Sequence, residues 1–136
     1  MEKYLIIIGS TILLLLGTIH LVYTFFTNRL SPRSNTTIEV MKSEYPVLTK
    51  DTTMWKAWVG FNASHSAGII FFAKINILIA LYAFDLFQES VHILILDNGF
   101  MLFYLFLAKK YWFQTPLIGI LLASICFFMA TLMLII

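Results

Sequence analysis

The stretch YLIIIGSTILLLLGTIHLVYTFF, Tyr4 to Phe26, decides the fold. It contains no charged residue. As a helix rising about 1.5 Å per residue it spans the ~30 Å hydrocarbon core of a bilayer. It is too long for the apolar region of a signal peptide and no small-residue cleavage site follows, so it reads as a retained first membrane helix.

The rest of the chain repeats the pattern. Of its 136 residues 60% are hydrophobic and only 12% charged, with a mean hydropathy of +0.89. A soluble domain carries about 25% charged residues, so lipid must serve as part of the solvent. Further apolar runs predict helices over 58–84, 91–108 and 116–136. The fold class expected is all-α, a four-helix integral membrane bundle forming a single domain over 1–136. A polar stretch, 27–57, separates the first two helices and carries Pro32 and Pro46 as breakers. Within it Thr37 is a candidate cap for a short surface helix with Ile38, Met41 and Tyr45 on one side, the alternative being a solvated loop. Asp85–Ser90 reads as a tight turn and Lys109–Thr115 as a compact loop. Thr115-Pro116 reads as a cap followed by proline at the first helical position.

Lys and Arg set the expected orientation. The first loop carries Arg29, Arg33, Lys42, Lys50 and Lys56, and the third Lys109 and Lys110. The second has only Asp85 and Glu89; Lys3 alone opposes the bias. The positive-inside rule therefore places 27–57 in the cytoplasm and both termini outside. Trp55, Trp58, Tyr111 and Trp112 fall at the cytoplasmic boundary, as an aromatic belt would.

Several function classes lose support. The net charge of +2 is too small to argue for nucleic acid. The sequence lacks C-x-x-C, phosphate-loop, H-E-x-x-H and G-x-S-x-G motifs, which weakens the nucleotide, protease and esterase readings. No metal site is written in the motifs, and an enzymatic role is not the favoured one. The single Cys126 forms no internal disulfide.

Polar groups within a bilayer are costly, so each needs a reason. His20 lies six residues before the first predicted helix ends and His65 seven after the second begins, both about 10 Å below the cytoplasmic boundary. His20 shares a helical stripe with Gly9, Gly17, Thr24 and Thr27; His65 shares one with Trp58, Asn62, Phe72 and Asn76. His20, Asn62 and His65 thus form a candidate ligand or cofactor site. Axial ligation of a haem b, part of a metal site, proton relay or retention of a small polar ligand all use paired imidazoles; so does simple hydrogen bonding between helices. Nearer the outer face Lys74 and Asp97 are expected to form a buried ion pair, extended by His92 and Asn98. Small residues at Gly60, Ser64 and Gly68, and at Gly119, Ala123, Cys126 and Ala130, predict close helix packing.

The segment WKAWVGFNASHSAG, Trp55 to Gly68, resembles one found in small four-helix bacterial membrane proteins without an established activity; its distinctive part is G-F-N-x-S-H-S-x-G. A looser similarity to DoxX-like proteins rests on layout. The resemblance implies a bacterial inner membrane location and draws attention to Asn62, Ser64, His65 and Ser66. Besides the lipid bilayer, the expected partners are other membrane subunits or further copies of the chain. Three roles follow: a small-ligand or cofactor-binding protein, an accessory subunit whose polar residues are structural, and an ion or solute transporter. Transport has the least support, because four helices without a repeat offer little pathway.

Overall fold

The computed structural model describes residues 1–136 and is all-α. Its helices are α1 (Glu2–Phe26), α2 (Asn35–Ser43), α3 (Met54–Tyr82), α4 (Asp85–Glu89), α5 (Val91–Tyr111) and α6 (Gln114–Ile135). Four of them, α1, α3, α5 and α6, are long and apolar enough to cross a membrane. Only 22–28% of each span is buried. Leu15, Phe61, Phe71, Leu102, Phe103 and Phe128 are all more than half exposed. Hydrocarbon is the solvent that accommodates such faces.

The helix ends differ from expectation where local chemistry overrides hydropathy. Ser34 caps α2, its Oγ accepting from the Thr37 N–H at 3.4 Å, so the cap lies three residues before Thr37. Ile38 and Met41 are half-buried, but Tyr45 lies beyond the helix and is exposed. The Thr53 hydroxyl accepts from the Lys56 N–H at 3.3 Å, which caps α3 and starts it four residues before Trp58. At the other end α3 stops at Tyr82, and the expected turn winds into α4. Lys109 and Lys110 extend α5, where their charge favours the last turn. Only Trp112 and Phe113 are left to join α5 to α6, making these two helices neighbours. α6 starts at Gln114 without a side-chain cap. Pro116 therefore sits third in its first turn, where the missing N–H still costs no bond.

The chain forms two compact units, and α1 and α3 run through both. The first comprises Met1–Leu16 and Ile69–Ile136. Its core repeats at three, four and seven residues: Ile6 and Leu13; Ile69, Ala73 and Ala80; Leu94, Met101 and Ala108; Ile120, Ala123, Phe127 and Ala130, with Phe87 of α4. This is the spacing of knobs-into-holes packing. Phe72 stacks on Phe100 with centroids 4.1 Å apart, and Phe100 on Tyr104 at 4.4 Å. Glycine has a reason at two places here. A Cβ on Gly119 would lie 2.6 Å from Leu16, and one on Gly9 would lie 3.1 Å from Cys126 and Phe127. The α6 small-residue stripe thus serves close packing.

The second unit is Gly17–Gly68: the end of α1, the polar stretch with α2, and the start of α3. Here the small-residue expectation fails. Gly60, Ser64 and Gly68 are exposed, and a Cβ on either glycine would meet nothing within 4 Å. Within this unit α1 meets α3 on the side that carries Asn62 and His65.

Candidate functional site

Asn62 organises the second unit. Its Nδ2 donates to the Trp58 carbonyl one turn back at 2.8 Å, which fixes the amide and leaves Oδ1 as the acceptor. That Oδ1 lies 2.9 Å from His20 Nε2 on α1. An oxygen acceptor requires a donor opposite, so Nε2 of His20 carries the proton and Nδ1 is its acceptor nitrogen when neutral. The His65 ring meets the His20 ring edge-on, with centroids 5.5 Å apart and planes at 67°. The structure thus brings His20, Asn62 and His65 together, with both imidazoles half-buried.

The hydroxyls around the cluster are held by their own helices. Ser66 Oγ donates to the Asn62 carbonyl at 2.9 Å and Ser64 Oγ to that of Phe61 at 3.1 Å. Thr24 Oγ1 donates to the His20 carbonyl at 2.9 Å, and Thr27 Oγ1 to that of Tyr23 at 3.1 Å. Each spends its one proton on the backbone; Thr27 Oγ1 also accepts the Arg29 N–H at 3.2 Å, and each oxygen keeps at least one lone pair for another donor.

Beside Asn62 a cavity of about 170 Å³ opens, walled by Tyr23, Thr24, Thr27, Trp55 and Trp58, with Ser31 of the polar stretch at its rim. Arg29 stacks over Tyr23 at 5.1 Å from the ring centroid and donates to its hydroxyl at 3.4 Å. Sequence reasoning found Asn62 and the two histidines but did not place Tyr23, Ser31 or Trp55 in a site. Thr24 and Thr27, four and seven residues after His20, were legible as its stripe.

The arrangement does not suit a haem held between two axial imidazoles. The rings touch each other edge to face, and His20 Nε2 is committed to the Asn62 amide oxygen. A porphyrin requires both ligating nitrogens to aim at one iron from opposite sides. No group of three or more His, Cys, Asp or Glu side chains is placed to hold a metal ion.

The expected Lys74–Asp97 ion pair is replaced by another arrangement in the first unit. Lys74 is exposed, whereas Asp97 is 6% and Asn76 2% exposed. Asn76 Nδ2 donates to Asp97 Oδ1 at 3.3 Å and to the Phe72 carbonyl at 3.1 Å. The reason is helical phase: Lys74 precedes Asn76 by two residues, about 200° around α3, so only one of them faces α5. Asn98 bonds Thr131 of α6 at 2.7 Å, and His92 is exposed, so neither extends the pair.

No protein family, curated protein or solved structure matches this chain.

Proposed function

We propose that this multi-pass membrane protein binds a small cyclic ligand in the cavity beside Asn62, with His20 holding that amide in place and His65 packed against the His20 ring. One observation carries the reading: Asn62, on the wall of the cavity, is fixed by the Trp58 carbonyl and by His20, whose ring in turn packs against His65. A dry cavity of roughly 150 Å³ takes up benzene, so the volume suits a single ring. The walls specify its chemistry. Trp55, Trp58 and Tyr23 offer flat apolar surface, while Asn62 Oδ1, Thr24 Oγ1 and Thr27 Oγ1 retain acceptor lone pairs. The ligand class is therefore a ring bearing a hydroxyl or amine that donates. Binding is favoured over catalysis because Ser64 and Ser66, the hydroxyls nearest His65 in sequence, donate to helix carbonyls and present no nucleophile to the imidazoles.

Phenol, benzylamine and toluene are the probes. Phenol or benzylamine is expected to raise the Tm of the purified protein saturably, by a few degrees at high occupancy, and toluene to do so much less. Thr24→Val is expected to weaken the phenol effect about tenfold, the loss of one hydrogen bond. Equal shifts for all three probes in both proteins would mean partition into detergent and would overturn the proposal. Absence of any shift would leave the second reading, a subunit packed against another membrane chain, which the open Gly60, Ser64 and Gly68 face supports.

The same reading places the cavity at the cytoplasmic boundary of a bacterial inner membrane, with both termini outside. The Lys/Arg asymmetry of the loops and the resemblance of Trp55–Gly68 support it. In a Cys126→Ser background, a cysteine substituted for Asn35 is expected to resist a membrane-impermeant thiol reagent in intact cells. One substituted for Glu89 is expected to react. The reverse pattern inverts the orientation.

A further inference from the structure

The first unit holds a polar group that the cavity does not use. Both Asn76 N–H donors are spent, on Phe72 O and Asp97 Oδ1. That orients the amide and leaves Asn76 Oδ1 with no partner; Asp97 Oδ2 is likewise buried and unpartnered. Two oxygens of one hydrogen-bonded pair thus face low-dielectric surroundings with lone pairs and no donor. Leaving such atoms bare is unfavourable. The third buried side-chain oxygen without a partner is Ser10 Oγ, on the α1 face that buries Ile6 and Leu13.

Ionisable groups on the surrounding elements do not supply the missing charge. Lys74, Asp85, Glu89 and His92 are exposed, and so is Tyr82. Tyr104 lies two turns further along α5, Cys126 is on α6, and Glu2 and Lys3 are in the first turn of α1. The one hydrogen-bond partner of Asp97 is Asn76.

We propose that the Asn76–Asp97 pair binds one small monovalent cation, Na⁺ or a proton, at Asn76 Oδ1 and Asp97 Oδ2. Either cation supplies what both atoms lack. A proton on Asp97 Oδ2 becomes the donor that Asn76 Oδ1 accepts, closing an acid–amide pair. Na⁺ is coordinated by the same two oxygens. Both neutralise a carboxylate that the bilayer otherwise penalises.

The experiment is thermal unfolding of the full chain in detergent, in two arms at constant ionic strength. Replacing choline with Na⁺ at neutral pH tests the first source; acidification in choline tests the second. A folded state that alone binds the cation gains stability with its concentration, so Tm is expected to rise saturably, by about 5 °C or more, in one arm. Asp97→Asn places an amide that donates to Asn76 Oδ1 without charge. It is expected to be as stable as the cation-loaded protein and to lose the response. If that variant fails to fold, Asn76→Ala carries the comparison, with an expected tenfold or greater loss in apparent cation affinity. A wild-type Tm insensitive to both cations, or a response that Asp97→Asn or Asn76→Ala retains in full, overturns the proposal.

Discussion

Replacing Asn76 with leucine is expected to destabilise the protein by about 2–4 kcal/mol, and replacing Asp97 with leucine in the same chain to restore most of that loss. Asn76 is the one side chain that bonds Asp97, at 3.3 Å, and both are buried. Asn76→Leu therefore strands a carboxyl group in the core of the first unit with no donor. Removing the carboxyl as well leaves two leucines among Phe72, Leu94 and Met101, a surrounding already apolar. Broken halves of a buried polar pair cost more than its complete replacement by hydrocarbon. Lys74→Met is the control. Lys74 is exposed, so this change is expected to be nearly neutral and additive with either of the others. Unfolding of the single and double variants in detergent decides the matter. Additive losses for Asn76→Leu and Asp97→Leu would show that the pair is not coupled.

Asn62→Leu is expected to cost about 1–3 kcal/mol, to change the tautomer of His20 and to abolish the phenol response. The amide makes two bonds that leucine cannot, to Trp58 O at 2.8 Å and His20 Nε2 at 2.9 Å. The stranded group is the His20 N–H, whose desolvation is the larger part of the cost. His20→Phe removes that donor and keeps a ring against His65. A cycle built from Asn62→Leu and His20→Phe is thus expected to show a coupling energy of about 0.5–2 kcal/mol. Nitrogen-15 NMR of labelled histidine provides an independent readout: the wild-type His20 is expected to be protonated at Nε2, and Asn62→Leu to shift the population toward the other tautomer. A wild-type His20 protonated at Nδ1 alone would contradict the network derived from the Asn62 orientation.

Much of the site was legible because helices impose a strict geometry. His20 and His65 fall at one depth by residue counting, and Asn62, three residues before His65, lies on the same side of α3. The Asn76–Asp97 pairing was not read from the sequence, which set Lys74 opposite Asp97; it follows once the helix ends are known. Asn76 precedes the end of α3 by six residues and Asp97 follows the start of α5 by six, which is equal depth across a hairpin. Charge attracts attention to Lys74 first, yet Lys74 faces outward, and a lysine's long stem lets its charge extend toward an interface. A lysine has an escape that a short amide has not.

What the sequence by itself determined is the number of spans, their approximate limits and the all-α class. Each follows from apolar run length alone, since a backbone in hydrocarbon must satisfy its own hydrogen bonds and a helix does so within one segment. Even the small-residue stripes were visible as stripes. Only the tertiary structure decided which of them is used. Gly9 and Gly119 meet Phe127 and Leu16, while Gly60 and Gly68 meet nothing. In water a helix shows its buried face by being apolar there and polar elsewhere. In lipid both faces are apolar, so hydropathy carries no phase. The rotation of each span is then fixed by close packing and by a few polar bonds between helices, such as His20 to Asn62, Asn76 to Asp97 and Asn98 to Thr131.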